Sequence, residues 1–428
     1  MKRYRILIWF PGKFDYYDGL FKSLNAREDT VCKDKSEFGF AVDYYSQLDY
    51  DKVQSIFCGN IILLYQITKN ELYIDISDDI IVWSYLDDIF GKFVMIGKDY
   101  FTLFPKNNYM YLPLLDIAAF DLDQVMQSEE LYRKAVVAPF VPLQYDYNHK
   151  LTSEEEEKFS SDIALILFKK RIGDAGIKRM AGVNEDNACA KDVLLLIGML
   201  YAEVDKKMKE EGHIVTDLEW IENTLIYYFD KFHIWQYMRN KEALLEKWKR
   251  LVLYVINVNL YGDNIVDWLI EGDYNFKLYG GWSEKKYKKY SMGYLRDGST
   301  DMYCANYMAK IGINSNPLGT IHRRTIDCMS SGTMCMSAAA STRELDVKYN
   351  FSHYSHFFED QKDIIMFHNK EELLSNIDYY LSHDEERERI ALNGKLVISE
   401  RKLDYVSVVN RAFEDLISRI EDDETKII

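Results

Sequence analysis

The sequence predicts an α/β protein built as two domains, each with a parallel β-sheet covered by helices. The chain has 428 residues, which is more than a single hydrophobic core normally organises. Short apolar segments alternate with polar, helix-compatible segments in the first part of the chain, and the same alternation returns in the second half. Apolar residues make up 48% of the chain and charged residues 29%, which is typical of a folded protein and unlike a disordered one.

Short apolar runs bounded by charged or turn residues indicate the strands of the first domain. These runs cover residues 5–10, 61–65, 79–83, 93–96 and 109–114. The acidic run SEEEE at residues 153–157 follows these strands. Such a run is typical of an exposed helix face or of a connection between domains. We therefore predict an N-terminal domain at residues 1–155.

The second domain is predicted at residues 156–404 and begins with a strand at residues 162–168. A helical insertion at about 187–270 interrupts it, because apolar side chains recur there at helical spacing and glycine and proline are rare. The recurring positions are Leu194, Leu195, Met199, Tyr201, Leu244, Trp248, Leu251 and Val252. Further strands are predicted at residues 276–279, 302–304, 311–314, 334–337 and 364–367, and helices at 370–381, 384–393 and 405–420. Residues 405–428 form a separate closing segment in this prediction.

Charge and cysteine content exclude several classes of function. The formal net charge of −16 repels phosphate backbones and anionic lipids, so we expect no nucleic-acid partner. No apolar run approaches the ~20 residues that span a bilayer, and Pro11 and Gly12 interrupt the N-terminal run where a signal peptide would continue. The six cysteines include no CxxC pair, which argues against a zinc ribbon and favours free thiols in a cytoplasmic protein.

Ligands of doubly wound sheets bind at the carboxyl ends of the strands, so the loops that follow strands are the first candidates for a site. Gly12 follows the first strand, where glycine lets a backbone approach a ligand, although a plain strand-to-helix turn fits equally well. No GxGxxG motif accompanies it, which argues against a dinucleotide-dependent dehydrogenase. Gly280, Gly281 and Trp282 follow a strand of the second domain and would receive a nucleotide base or phosphate, with a bare turn as the alternative.

Two adjacent carboxylates, Asp87 and Asp88, follow the strand at residues 79–83. One of them would act as a base toward an acceptor hydroxyl if burial raised its pKa. The alternative is that one aspartate caps the following helix. Asp121 and Asp123 form a DxD triplet, a pattern that binds a divalent metal in some enzymes, but they follow a strand-like run directly in a segment with a helical pattern. We therefore predict no metal at the site.

The loop after the strand at residues 311–314 is a candidate phosphate site. Asn314 ends this strand, and Gly319 and Thr320 belong to the Pro/Gly loop that leads into a short helix. Such an arrangement aims backbone N–H groups at a phosphate. We predict that these three residues contact a phosphate-bearing ligand.

The short helix after that loop carries two charged residues on one face, because Arg324 and Asp327 lie three positions apart. The guanidinium would bind a diphosphate in bidentate fashion, and the carboxylate would accept hydrogen bonds from ribose hydroxyls. The alternative is a surface pair of Arg323 with Asp327, which would contribute only ~0.3–0.5 kcal/mol.

Together these segments resemble the CgeB-like (spore maturation) glycosyltransferases, and the likeness runs through most of the chain. The motifs of the first domain are VWSYLDD, FVMIGKDY and YMYLPLLDIAAF, and those of the second are FKLYGGW, INSNPLGTIHRRTIDCMSSGTMCMS and NKEELLSNIDYYLSHDEERERIALNG. The stretch from Arg324 to Gly332 is the most specific, because both its spacing and its context fit. The resemblance implies a GT-B fold, in which two Rossmann-like domains face a central cleft. It also implies that the C-terminal domain holds the nucleotide, that the acceptor meets the N-terminal domain, and that the last helix packs back across the cleft.

Two departures from the family pattern bear on function. The ribose-binding acid of the family is usually glutamate, whereas this chain has Asp327, and an acid of the related paired-glutamate motif falls on Gly319. The first histidine of the chain is His149, at the very end of the predicted first domain, so the loops that follow the predicted strands of that domain supply no histidine base. Retention or inversion of the sugar configuration therefore stays open.

The resemblance implies a metal-independent glycosyltransferase of the hexosyltransferase type. It would take a nucleotide-diphosphate sugar as donor and a protein or glycan as acceptor, without a further cofactor. The alternative is a noncatalytic relative that binds a nucleotide sugar or a partner, which the substituted acid and the helical insertion favour. Product formation, as opposed to stabilisation by the ligand alone, distinguishes the two.

Overall fold

The computed structural model of the protein describes residues 4–9, 23–34, 61–66, 81–85, 108–113, 135–138, 148–167, 190–237, 241–296, 298–316, 321–339 and 354–426. The chain forms two compact units. Unit 1 comprises Met1–Tyr145 and Ser399–Ile428, and unit 2 comprises Asp146–Ile398. The boundary between them precedes the acidic run at residues 153–157, which belongs to unit 2.

Unit 1 is built on a parallel sheet. Its six described strands are β1 (Tyr4–Trp9), β2 (Thr30–Asp34), β3 (Ile61–Gln66), β4 (Ile81–Tyr85), β5 (Asn108–Pro113) and β6 (Ala135–Ala138). Their order is β2-β1-β3-β4-β5-β6, and every described pair is parallel. The order reverses between β1 and β3, as in a doubly wound sheet. Four of these strands are predicted from the sequence, β2 and β6 are not, and the strand predicted at residues 93–96 lies outside the described residues.

Unit 2 is built on a second parallel sheet. Its six described strands are β7 (Ser161–Ile166), β8 (Phe276–Tyr279), β9 (Ser291–Gly293), β10 (Ala309–Asn314), β11 (Met334–Ala338) and β12 (Ile365–Phe367). Their order is β12-β11-β10-β7-β8-β9, and all pairs are parallel. If β7 is counted as strand 1 and the sheet is read from β9 to β12, this is the 3-2-1-4-5-6 order of Rossmann sheets. The order reverses between β7 and β10, so the carboxyl ends of these two strands form the switch point.

Most of the described helices belong to unit 2. The α-helices are α1 (Ser153–Phe159), α2 (Ala190–Glu211), α3 (Leu218–Lys231), α4 (Lys241–Leu251), α5 (Asn257–Glu271), α6 (Thr300–Tyr307), α7 (Arg323–Ser330), α8 (Lys370–Ser382), α9 (Asp384–Glu400) and α10 (Tyr405–Lys426). A π-helical turn at Val252–Ile256 joins α4 to α5. The helical insertion and the two-domain α/β class predicted from the sequence are therefore confirmed. In the part of the chain that the structure describes, no helix is long and apolar enough to cross a membrane.

The first helix of the insertion buries only some of the apolar positions singled out from the sequence. Its buried apolar side chains are Val193, Leu196, Ile197, Leu200, Tyr201, Val204 and Met208. Of the predicted positions Tyr201 is therefore buried, whereas Leu194 and Leu195 are 36% and 53% exposed. The run from residue 193 to residue 197 is apolar at every position, so it indicates a helix without indicating which side is buried.

The strand predicted at residues 302–304 is wrong, because these residues lie in helix α6. Ser299 caps the helix, and its hydroxyl oxygen accepts a hydrogen bond from the Met302 N–H at 3.2 Å. All residues from Met302 to Asn306 are buried, so the helix has no polar face that would reveal its period. A short apolar run fits a buried strand and a buried helix equally well.

The C-terminal helix α10 belongs to unit 1, where it lies beside β6. Arg27 donates to Glu414 Oε1 at 3.2 Å, and its guanidinium lies over the Phe413 ring at 4.9 Å from the centroid. Asp29 holds the same guanidinium through a 2.9 Å bond to Nε, and this bond lowers the pKa of the Asp29 carboxyl. These contacts attach the last helix to the N-terminal unit. The course of this helix across a cleft stays a prediction.

Helix α7 packs directly on β10 at Gly312. A Cβ added to Gly312 would lie 2.3 Å from Cys328 Sγ of α7, so only glycine permits this approach. We expect Gly312→Ala to lower the free energy of unfolding by about 1–3 kcal/mol, the usual cost of overpacking. Urea denaturation followed by circular dichroism measures this change.

The matched control for Gly312 is Gly198 in α2, where an added Cβ meets nothing within 4 Å. Gly198→Ala should raise the free energy of unfolding by roughly 0.5–1 kcal/mol, because alanine restricts the unfolded chain. Equal urea midpoints for the two variants would contradict the close packing of α7 on β10.

Candidate functional site

A cavity lies at the switch point of the unit 2 sheet. It is lined by residues of β7, β10, β11, α6 and α7, namely Ala164, Ile166, Met302, Asn306, Gly312, Ile313, Asn314, Arg324, Asp327, Cys328 and Cys335. Ile166 and Asn314 are the last residues of β7 and β10. The crevice at the carboxyl ends of two such strands is where doubly wound sheets bind their ligands. The topology and the cavity therefore indicate the same place.

Three of the predicted donor-binding residues meet in this cavity, namely Asn314, Arg324 and Asp327. Arg324 is partly exposed, whereas Asp327 is only 2% exposed. The two charged side chains share the face of α7 that lines the cavity, as their spacing predicts. The burial of the Asp327 carboxylate means that it does not lie on an exposed surface, and the alternative that it pairs with Arg323 stays open.

The imidazole of His322 caps helix α7. The ring Nδ1 accepts a hydrogen bond from the Arg324 N–H at 3.2 Å. The backbone carbonyl oxygen of His322 accepts a second hydrogen bond from the Thr325 N–H at 3.0 Å. An accepting Nδ1 carries no proton, so this hydrogen bond assigns the ring proton to Nε2. The Arg324 amide is engaged by this cap, and the guanidinium is the group of that residue that can reach a ligand. The sequence analysis does not single out His322, because histidine is not among the usual capping residues.

Asn314 is the centre of a buried polar cluster, which we define as Asn314, Thr325, Ser337 and Tyr354. Asn314 Nδ2 donates to Thr325 Oγ1 at 2.7 Å and to Ser337 Oγ at 3.2 Å, and it also contacts the Tyr354 hydroxyl. The Thr325 and Tyr354 hydroxyl oxygens are 2.8 Å apart. The cluster joins β10, α7, β11 and the 3-10 turn Tyr354–His356 beneath the start of α7. The Asn314 amide is thus engaged within the protein, and its contact with a donor stays a prediction.

The glycine pair after β8 forms a turn that requires glycine. Gly280 has a φ of 117° and Gly281 a φ of 67°, values at which a side chain is strained. A Cβ on Gly281 would lie 2.0 Å from the Tyr294 hydroxyl. Because the strands are parallel, this turn lies at the same edge of the sheet as the cavity.

Trp282 is part of the core in this structure. Its side chain is 2% exposed, and its indole N–H donates to the Leu167 carbonyl oxygen at 2.7 Å. The ring also packs edge-to-face on Tyr287, with 4.8 Å between the ring centroids. These contacts fix the start of the loop after the glycine pair, and a contact of Trp282 with a donor stays a prediction.

The two cysteines of the cavity are buried thiols. Cys328 and Cys335 are 5% and 1% exposed. The Cys335 thiol donates a hydrogen bond to the Cys328 sulfur, and this bond and burial together raise the pKa of Cys335 well above its ordinary value. A thiol that stays protonated is a poor nucleophile, so we assign no covalent chemistry to Cys335.

The remaining predicted site residues are Gly12, Asp87, Asp88, Gly319 and Thr320, together with the discounted pair Asp121 and Asp123. All of them lie outside the described residues. Their proposed roles therefore stay predictions from the sequence.

Each of the two units is a doubly wound parallel sheet, the type of domain of which a GT-B fold contains two. Residues 239–414 match the model of a family described as Glycosyl transferase-like. The matched segment covers about two fifths of the chain, and it includes the glycine turn, the polar cluster and helix α7. The narrower CgeB-like assignment stays a prediction. Among curated proteins no match was found.

Several solved structures have a similar course of the chain at very low sequence identity. HepE of Anabaena, in complex with UDP-glucose, is 10% identical, with 97% of this chain and 99% of that chain covered and a TM-score of 0.47. Sucrose-phosphate synthase from Thermosynechococcus elongatus is 8% identical, with 99% and 100% covered and a TM-score of 0.46. The trehalose-6-phosphate synthase OtsA is 9% identical, with 98% and 99% covered and a TM-score of 0.44.

Proposed function

We propose that this protein is a glycosyltransferase that transfers a hexosyl group from a nucleotide-diphosphate sugar to a protein or glycan acceptor. The observation that carries the proposal is the cavity at the switch point of unit 2, where Arg324 and Asp327 lie on one helix face. The second support is the match of residues 239–414 to the glycosyltransferase-like family.

The chemistry of glycosyl transfer explains why these two groups are needed. Negative charge develops on the diphosphate as the bond to the sugar breaks, and a fixed guanidinium stabilises that charge. Arg324 is partly exposed at the start of α7, where the helix dipole adds to its positive potential. Asp327 lies deeper in the cavity, where a low local dielectric strengthens a hydrogen bond to a ribose hydroxyl.

A panel of nucleotide-diphosphate sugars tests the proposal in two steps. The matching donor at 100 times its dissociation constant should stabilise the protein by about 2.7 kcal/mol. It should then be turned over, with release of the nucleoside diphosphate when an acceptor extract is added. Stabilisation without any product would support the noncatalytic alternative, which the shorter acid Asp327 favours. A panel in which no nucleotide sugar stabilises the protein would refute both.

Metal independence of the transfer step is part of the proposal. A guanidinium and a helix N-terminus supply the positive potential that a divalent cation supplies in metal-dependent transferases. Turnover by metal-depleted protein should therefore be unchanged when manganese is added. Turnover that depends on manganese would overturn this part and return attention to Asp121 and Asp123.

We further propose Asp87 and Asp88 as the carboxylates that meet the acceptor. Asp87→Asn or Asp88→Asn is expected to depress turnover by about 10²-fold or more, the usual contribution of a general base. Donor affinity, measured by calorimetric titration, should be unchanged, because the donor binds in unit 2. Near-normal turnover in both variants would leave only the helix-capping interpretation.

A further inference from the structure

A histidine, a glutamate and a cysteine converge at a second place in unit 2. His149, Glu155 and Cys304 each offer one ligand atom, and these atoms all lie within 4.8 Å of one another. His149 Nε2 is 3.1 Å from both carboxylate oxygens of Glu155. Cys304 is a fully buried free thiol of α6. Among the described residues this is the one such group.

The spacing of these atoms suits a tetrahedral ion. With zinc bonds of 2.0–2.3 Å, two ligand atoms lie about 3.3–3.6 Å apart. The separation of 3.1 Å between His149 Nε2 and Glu155 is already close to this value. Because all the ligand atoms lie within 4.8 Å of one another, the cysteine sulfur needs to move by no more than about 1.5 Å to meet this value.

The glutamate of this cluster is held in place by its neighbours. Thr152 donates to Glu155 Oε2 from its backbone N–H at 2.8 Å and from its hydroxyl at 3.0 Å. The bond from the Thr152 N–H is one half of the capping box of α1, and the other half is the bond from the Glu155 N–H to the Thr152 hydroxyl oxygen. Outer partners of this kind orient a metal-binding carboxylate. Glu155 Oε1 remains directed at the histidine.

The charge around the cluster also favours a cation. Glu154, Glu156 and Glu157 flank the ligand on α1. Asp301 lies on the first turn of α6, and Lys158 pairs with it at 2.8 Å. Acidic groups thus outnumber basic ones at this end of the two helices, which raises the local affinity for a positive ion.

We propose that His149 Nε2, a Glu155 oxygen and Cys304 Sγ bind a zinc ion that fastens α1 and the segment before it to α6. Imidazole, carboxylate and thiolate together select zinc over magnesium or calcium, which prefer oxygen ligands. The side chains of His149 and Glu155 are 26% and 21% exposed, so water reaches the fourth position.

This site is separate from the donor cavity but shares a helix with it. Met302 and Asn306 line the cavity, and Cys304 lies midway between them in sequence, so it points from the opposite side of α6. The zinc ion therefore has no place in the transfer step. It binds α6 on the side opposite to the side that lines the donor cavity.

Titration of the metal-depleted full chain with Zn²⁺ alone tests the proposal. Calorimetry should show one saturable site, and Co²⁺ used in its place should give the near-ultraviolet thiolate charge-transfer band of a tetrahedral complex. Cys304→Ser should abolish this band. His149→Ala should weaken Zn²⁺ binding by at least about tenfold, because loss of an outer partner alone costs 10- to 100-fold.

The control is a second histidine–glutamate pair outside the cluster, His368 and Glu372, with 2.8 Å between Nδ1 and Oε2. His368→Ala should leave Zn²⁺ affinity unchanged. If Cys304→Ser does not fold, the comparison of His149→Ala with His368→Ala decides, because both histidines are partly exposed. Absence of saturable Zn²⁺ binding to the wild-type chain, or equal affinity in these two variants, would overturn the site without touching the proposed transferase function.

Discussion

Arg324→Ala is expected to weaken binding of the donor's nucleoside diphosphate by about 10- to 150-fold. A hydrogen bond to a charged group contributes roughly 1.5–3 kcal/mol, and each 1.4 kcal/mol is a factor of ten in affinity. Arg324 lines the switch-point cavity from the start of α7 and is partly exposed, so it can reach a phosphate without rearrangement of the core. Calorimetric titration of the variant with the diphosphate that binds the wild-type protein measures the loss.

The neighbouring arginine provides a matched control for this prediction. Arg323 belongs to the same helix and carries the same charge, but it is not among the residues that line the cavity. Arg323→Ala should weaken diphosphate binding much less than Arg324→Ala does, because Arg323 does not line the cavity. An equal loss in both variants would indicate a general effect of helix charge, and no loss in either would refute the site.

The role of the Asp327 carboxylate is tested with a substitution other than alanine. Asp327 is 2% exposed, so Asp327→Ala would leave buried polar groups without their hydrogen-bond partner. It would therefore lower the stability of the protein as well as its affinity for the diphosphate. Asp327→Asn keeps the shape and removes the charge, which separates the two effects. The resemblance to the family predicts that Asp327→Glu, which restores the usual acid, keeps or improves donor binding. The burial of the side chain argues the reverse, because an extra methylene in a packed site costs about 1–3 kcal/mol.

The sequence predicts the sheets better than it predicts the site. Strands such as β8 and β10 are short, apolar and bounded by turn residues, and these local features are sufficient to place them. The residues at 302–304 are equally apolar and form a helix, because the cap at Ser299 and the enclosure of α6 decide the outcome. Strand β9, at Ser291–Gly293, has three residues and no apolar run, so no local pattern reveals it.

The buried polar groups of the candidate site are likewise only partly predictable from the sequence. The sequence places Arg324 and Asp327 on one helix face, since that follows from the helical period alone. It cannot show that Asp327 is buried, because burial depends on α6 and β7, which lie elsewhere in the chain. The partners of Asn314 are even more distant, since Tyr354 lies 40 positions away.

Asn314→Leu is expected to lower the free energy of unfolding by about 3 kcal/mol, the upper end of the range for stranding a buried polar group. Leucine has a similar size but no donor, so the three hydroxyl oxygens of the polar cluster lose the amide that they share. The Asn316 N–H also loses its acceptor, Asn314 Oδ1 at 3.4 Å. Urea denaturation measures the loss. Asn393→Leu is the control, because its amide makes one exposed bond to the Lys362 carbonyl oxygen and surface changes cost within about 0.5 kcal/mol.

A double-mutant cycle separates the shared hydrogen bonds from the change in packing. Tyr354→Phe removes one hydroxyl of the cluster and keeps the ring in place. If the Asn314 amide binds that hydroxyl, the effects of Asn314→Leu and Tyr354→Phe should fall short of additivity by about 0.5–3 kcal/mol, the range for residues in one network. Full additivity would mean that the two side chains are independent. Because Thr325 of the cluster lies in the first turn of α7, the same variants should also weaken diphosphate binding at Arg324, while Asn393→Leu leaves it unchanged.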